Sequence, residues 1–380
     1  MFDNPFTVEY SFTYGEVFDA YYDCLKHKKN SIGAMEFMVD YVDNVIQLTD
    51  EINSFTYQIS TSDAFMISDP KIREVFAAKF RDRVIHHLVI LELKPFFEEY
   101  FIPYTFACME GRGVLAGVKT LSKELEIHSE HYTQPFYIAK LDFKAFFTSI
   151  DKYLLWRRLD KFIVERYLDN RKKQCLRFLC RLIILHHPER DCVKKGNLRL
   201  WKLLPPYKSM FVVGPKNKGL AIGNLTSQMF ANFYLTPIDY FITNILGLEL
   251  HIRYADDFVI GHHDLEYLKM CIPLIKQFAE NYLLLTIHPD KLYIQECHKG
   301  VQFIGAVIKP DKIYCSNRSI AKFYSKLEGV TTPDEHTVAS INSYLGLMGH
   351  YSTYHIRKKL IQHIPNLVFG KGYKKVSLAC

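Results

Sequence analysis

The chain has 380 residues, 48% of them apolar, and a net charge of +7 at pH 7, enough apolar material to bury large cores in two or three subdomains. No charged leader precedes an apolar run at Met1, and no stretch nears the ~18 uninterrupted apolar residues that a membrane span requires. The expectation is a cytoplasmic protein without membrane contact.

Residues 1–70 carry 12 Asp and Glu against three Lys, a net of −9, which leaves +16 for residues 71–380. The basic body is the footprint of a polyanionic partner, and the acidic end is poorly suited to lie along nucleic acid. Its aromatics Phe12, Tyr14, Phe18, Tyr21 and Tyr22 predict folded packing rather than a disordered tail. Between Lys71 and His87, basic and apolar residues alternate. Arg81 and Arg83 fit a charged helix face, and His86 and His87, set among aliphatic residues, fit packed or hydrogen-bonded imidazoles better than metal ligands. Phe106–Gly113, with Gly117 beyond, is a glycine-bearing turn region.

The β-rich run Phe136–Leu141 delivers Asp142, and Phe143–Asp151 reads as a turn into a helix. Lys194–Lys208 is a loop-rich insertion to which the sequence attaches no role. Gly219–Gln228 (GLAIGNLTSQ) is a glycine turn leading into the amphipathic run Met229–Leu235, and its glycines suit close approach of backbone to a ligand. Tyr254-Ala255-Asp256-Asp257 lies between the β-prone runs His251–Arg253 and Phe258–Ile260, which predicts a tight hairpin with acid at its tip. Two adjacent carboxylates repel each other and are costly to bury, and a divalent cation relieves both problems; the bland alternative is a solvated loop. Asp142 supplies a second acid. Two-metal phosphoryl transfer, with ions roughly 3.5–4 Å apart, needs carboxylates from different strands converging on one point, and Asp142 with Asp256 meets that need. Further on, Leu284–Lys291 leads into the β-rich Leu292–Ile294, and Phe303-Ile304-Gly305 has the form of a short hairpin. From residue 311 the pattern turns helical, with 10 Lys and Arg against four Asp and Glu. Its basic and aromatic groups, such as Tyr344, His350, Tyr351 and Arg357, could line a duplex groove; a solvated amphipathic face is the alternative. Nine cysteines without a CxxC pair argue against structural zinc or a disulfide framework.

Taken in order, Asp142, the Gly219–Gln228 run and the Tyr-Ala-Asp-Asp box resemble the first, second and third palm motifs of reverse transcriptases. The resemblance covers roughly residues 70–360. It implies an α+β, right-hand polymerase fold: an acidic N-terminal extension and fingers over 1–135, a palm of antiparallel strands on helices over 136–310 with a fingers segment inserted near 152–215, and a helical thumb over 311–380. It implies RNA-directed DNA synthesis on an RNA template with a DNA or RNA primer and deoxynucleoside triphosphates. Asp142, Phe143, Asp256 and Asp257 would hold two Mg²⁺ ions, with Mn²⁺ as a substitute. Arg73, assisted by Lys71, would grip the triphosphate through paired guanidinium hydrogen bonds. Phe147 would be the aromatic gate that excludes a 2′-hydroxyl while Phe146 packs in the core. Ile222, Gly223 and Gln228 would face the nascent base pair, Lys291 would protonate the leaving pyrophosphate, and Phe303 with Gly305 would hold the primer end.

Most of the family has Gln where this chain has Ile222, and Ser-Pro where it has Ser227-Gln228. In both departures the chain resembles the reverse transcriptases of diversity-generating retroelements, which copy template adenines with poor fidelity. Replacing an amide by Ile222 removes a polar contact beside the incoming nucleotide. The branch implies mutagenic retrohoming together with a small basic accessory protein oligomer, for which the acidic first 70 residues are the expected surface. The alternative within the family is a phage-defence reverse transcriptase, including one that polymerises without a template.

Overall fold

A computed structural model describes residues 11–26, 28–68, 71–167, 170–327 and 334–363. The last residues of the expected thumb, 364–380, lie outside that range. The chain forms two compact units, each assembled from interleaved stretches: residues 1–103, 143–241 and 274–288 make the first, and residues 104–142, 242–273 and 289–380 the second.

The first unit opens with three helices, α1 (Tyr14–Leu25), α2 (Ile32–Val39) and α3 (Tyr41–Asn53). Thr13 caps α1 through a reciprocal pair of bonds with Glu16, which satisfies two donors that a helix start leaves open. Phe12, Val17 and Tyr21 are buried, as the aromatic content of this acidic segment predicts, whereas Tyr14 and Tyr22 stay exposed. Strands β1 (Ser62–Ile67) and β2 (Arg73–Ala77) pair antiparallel, with Ile67 opposite Arg73. The long α4 (Phe80–Tyr100) follows; it buries Val84, Ile85, Leu88, Val89 and Leu93 and packs on α1 and on a later helix, α10.

In the second unit, α5 (Val114–His128) precedes β3 (Tyr137–Asp142). The chain then returns to the first unit with the short α6 (Phe146–Ser149), the paired helices α7 (Lys152–Arg166) and α8 (Arg171–Leu185), and β4 (Cys192–Lys195). The inserted segment is thus mostly helical, and only its second half is loop-rich. β4 adds parallel to β1, so the first unit's sheet runs β2-β1-β4. The short α9 (Met210–Val213) leads to the glycine turn and to α10 (Leu225–Tyr240), with Asn224 at its N-cap position and residues Met229–Leu235 buried.

The second unit's main sheet has the order β5-β6-β3-β7, all antiparallel: β5 (Leu250–Tyr254), β6 (Asp257–His262), the earlier β3, and β7 (Tyr293–Glu296). α11 (Leu265–Leu283) separates β6 from β7 in sequence. A second sheet follows, β10-β9-β8, from β8 (Val301–Phe303), β9 (Ala306–Ile308) and β10 (Ile313–Cys315). The expected helical pattern therefore begins at Asn317, after one more strand, with α12 (Asn317–Leu327), α13 (Glu335–Met348) and α14 (Tyr354–His363). One core joins both sheets to α5, α12 and α13 through Leu121, Ile252, Val259, Phe303, Phe323 and Ile341. No helix among the described residues is long and apolar enough to cross a membrane. Eight described cysteines are unpaired, six of them buried.

Candidate active site

In the second unit, β5 and β6 close through a two-residue turn, Ala255-Asp256, with Tyr254 opposite Asp257. Ala255 sits in the left-handed region at φ 54°, as a turn this tight requires. Asp257 is the register partner of Asp142 across β6 and β3, so two of the three acids singled out in the sequence face each other on adjacent strands. Each has an ammonium partner. Lys291, on the 3₁₀ turn Pro289–Lys291, pairs with Asp142, and Lys140 Nζ lies 3.3 Å from Asp257 Oδ1. Lys140 and Asp142 are two residues apart on β3 and share a face, and Lys140 reaches Asp257 on the diagonal of the ladder. Among the described residues no three His, Cys, Asp or Glu side chains are arranged to hold an ion. The donor set nevertheless suits a hard divalent cation: oxygen ligands only, on rigid strands, with two ammonium groups marking where positive charge is stabilised.

The hairpin's geometry depends on a residue that the sequence did not single out. Arg253 is completely buried; its Nη1 donates to the Ala255 carbonyl at 3.2 Å and its Nη2 reaches Thr105 Oγ1 at 3.5 Å. Its backbone is fixed on both sides, donating to the Tyr104 carbonyl and accepting from Phe106 N–H, each at 3.0 Å. A guanidinium with no exposure is costly unless its donors are satisfied, so Arg253 ties the acid-bearing turn to the Tyr104–Phe106 segment. Its neighbours in sequence do not mark it, because its burial comes from β5 being covered on both faces in the folded chain. Lys140 could have been found from its period-2 relation to Asp142.

Phe303 and Gly305 belong to the same unit. Phe303 ends β8 and is fully buried, and Ile304 and Gly305 form the turn to β9, with Gly305 at φ 88° and its carbonyl accepting from Ser316 N–H.

The other residues singled out lie in the first unit. Arg73 starts β2 and is exposed, with Lys71 just before it. Three residues after Arg73, Phe76 N–H donates to the Ile222 carbonyl at 2.9 Å. Gly223 has φ 123°, and a Cβ there would lie 2.8 Å from Val75 Cγ1 and 3.1 Å from the Phe76 carbonyl oxygen, so only glycine lets this turn lie against β2. Ile222 is half-buried, and Gln228 is exposed on the first turn of α10. Phe143 is buried and pairs in a bridge with Ile287. Phe146 is buried and Phe147 half-exposed, with the Phe147 carbonyl accepting from Leu220 N–H at 2.8 Å. Glu74 is buried beside Arg73 and accepts from Ser209 Oγ at 2.6 Å and Met210 N–H at 2.7 Å. Burial raises its carboxyl pKa while those two bonds pull it back. Under α10, Thr226 Oγ1 lies 2.7 Å from His86 Nδ1, and burial pushes that imidazole down to about 3. His87 Nδ1 lies 2.7 Å from Asp23 Oδ2. Both histidines are therefore structural, as their apolar setting predicts.

An antiparallel sheet that presents acids from facing strands on a tight hairpin is the equipment of a metal-dependent nucleotidyltransferase. The chain belongs to the reverse transcriptase (RNA-dependent DNA polymerase) family, whose model matches residues 68–308. No curated protein matches it. The protein is thus an RNA-directed DNA polymerase, of a family that uses divalent metals such as Mg²⁺, a nucleic-acid template and primer, and deoxynucleoside triphosphates.

Proposed function

We propose that this reverse transcriptase makes error-prone cDNA for mutagenic retrohoming in a diversity-generating retroelement. The chemistry rests on one observation, the Asp142–Asp257 pair facing each other across β3 and β6, each carboxylate held by a lysine. Asp142, Asp256 and Asp257, with the Phe143 backbone, would hold two Mg²⁺ ions, which when bound acidify the primer 3′-hydroxyl and neutralise charge on the α-phosphate. Lys291 would then exchange Asp142 for the leaving pyrophosphate and give it a proton. Arg73, with Lys71, would bind the triphosphate, Phe147 would exclude a 2′-hydroxyl, Gly223 and Gln228 would line the pocket beneath the new base pair, and Phe303 with Gly305 would hold the primer end.

The mutagenic role is supported by Ile222. Its backbone is committed to Phe76 of β2, and its side chain offers no hydrogen bond to a base or nucleotide. Without polar readout at that position, a mispair opposite adenine loses little relative to the correct pair. An accessory protein is supported by α2 and α3, where Ile32, Met35, Val39, Val42 and Ile46 are exposed at alternating three- and four-residue spacing within an acidic segment. That stripe suits a basic partner with an apolar helix face. Reversing Glu36 and Asp43 to Lys should abolish co-purification with such a partner, and retained binding would contradict the assignment.

The test of function is extension of a primed RNA template containing all four bases, followed by sequencing of the cDNA. Errors concentrated opposite adenine, reduced in Ile222→Gln, are expected. Uniform fidelity in both proteins would favour an ordinary or a phage-defence reverse transcriptase, and synthesis without template would favour the template-independent form of the latter.

A further inference from the structure

The second half of the insertion, residues 191–218, has seven Lys and Arg against one Asp. It is firmly attached along one side. β4 continues the sheet beside β1, Glu74 accepts from Ser209 and Met210, and Met210 packs in a small core with Ala64 and Phe76. Trp201 and Phe211 meet edge to face at 5.5 Å, with Lys194 Nζ 4.0 Å from the Phe211 ring centre. The exposed residues of the segment have a different composition. Leu198 and Leu203 are 62% and 66% exposed and Tyr207 is 50% exposed, interleaved with exposed Arg199, Lys202 and Lys208. A face that merely meets water would not need large apolar groups between its cations, and a face built for packing would not need the cations.

Tyr207 links this face to the nucleotide-side residues. Its carbonyl accepts from Thr148 Oγ1 at 3.0 Å, one residue after Phe147, and its ring has Lys144 Nζ at 5.8 Å and Lys208 Nζ at 5.6 Å. An exposed ring with two ammonium groups over it can exchange one of them for a base, whose phosphates then meet the cations. We propose that residues 197–208 form a platform for the unpaired part of the RNA template, with Arg199, Lys202 and Lys208 on phosphates and a base stacked on Tyr207. Single-stranded RNA is favoured over a duplex because stacking on an exposed ring needs an unpaired base, and over an acidic protein because the cations gather at an exposed ring on which a base can stack. The assignment rests on the polymerase reading only for the identity of the strand as template.

The test is fluorescence anisotropy of a labelled, unstructured RNA 20-mer over a salt series, with a blunt RNA duplex as comparison, for the wild type, Tyr207→Ala and the triple variant Arg199→Ala/Lys202→Ala/Lys208→Ala. The triple variant should bind the single strand about tenfold or more weakly, and its plot of log affinity against log salt should be shallower by about 2, three contacts at ~0.7 each. Tyr207→Ala should weaken single-strand binding at every salt concentration without changing the slope. Duplex affinity should hold in both variants. Should the triple variant melt below the wild type, Lys202→Ala alone should lower the slope by about 0.7. Unchanged affinity and slope in variants that melt normally, or equal losses for duplex and single strand, would overturn the platform. Binding requires no turnover, so a wild type that binds RNA through this face yet makes no cDNA overturns the polymerase reading and leaves the platform standing.

Discussion

The β5–β6 hairpin and the Gly219–Gln228 turn carry comparable numbers of candidate site residues, but they are built in opposite ways. The hairpin is local: two runs of β-prone residues and a two-residue turn that sets Tyr254 opposite Asp257, with the sheet then adding β3 and Asp142 beside it. The glycine turn is held from a distance, by Phe76 of β2 on the Ile222 carbonyl and by the Phe147 carbonyl on Leu220, while the neighbouring insertion is clamped by Glu74 through Ser209 and Met210. Asp256 and Asp257 are placed by a two-residue turn of contiguous residues, whereas the glycine turn, like the pairing of Asp257 with Asp142, depends on segments far apart in sequence.

The largest effect should come from the acids on this sheet. Asp142→Ala should reduce nucleotide incorporation by about a thousandfold or more while leaving the melting temperature within a few degrees, because the residue is a polar group at a strand end. The hairpin itself also has a remote support. Arg253→Met should destabilise the protein by about 2–4 kcal/mol in urea unfolding, since the Ala255 carbonyl and Thr105 lose a buried donor, and Arg253→Lys should recover only part of that because an ammonium cannot reach both. A melting curve like that of the wild type for Arg253→Met would remove Arg253 as the support of the hairpin. For the remotely built turn, Gly223→Ala should cost about 1–3 kcal/mol, because the methyl meets a backbone carbonyl at 3.1 Å that cannot give way and φ 123° strains any side-chain-bearing residue. Equal stability would mean that the turn is not pinned to β2.

Acid should also weaken the first unit. Burial lowers the pKa of His86 to about 3 and of His186 to about 4, against an ordinary value of 6.5. The unfolded chain therefore binds protons that the folded one refuses. Their stabilising contribution is complete above pH 6.5 and declines as pH falls towards 4 and then 3, on the order of 1 kcal/mol per pH unit for each histidine. Urea midpoints should fall between pH 7 and pH 5, and His86→Asn should flatten that slope.

The same contrast explains what the sequence made legible. Strand β3, the acid-tipped hairpin, the helix through Met229–Leu235 and the turn at Ile304-Gly305 follow from periodicity and turn chemistry, so they could be read from neighbouring residues, although α10 begins four residues earlier, at Leu225. Lys140 was within reach by the same alternation. Arg253, Glu74 and Thr105 were not, because their roles come from partners that only folding brings close, and an arginine in a strand carries no local sign that it ends up fully buried. The insertion was opaque for the same reason: its strand β4 is defined by pairing with β1, 130 residues earlier in register, and not by its own four residues. The strand β10 inside the expected helical region is likewise only three residues long and owes its form to β9.

The central claim is that the acids of this hairpin catalyse RNA-templated DNA synthesis. Its most direct measurement is extension of a labelled primer on an RNA template with Mg²⁺ and deoxynucleotides by the wild type and by Asp256→Ala, each checked for RNA binding and melting temperature. Extension by the wild type and none by an Asp256→Ala protein that still folds and binds RNA is the predicted result. Comparable cDNA from both would contradict the account.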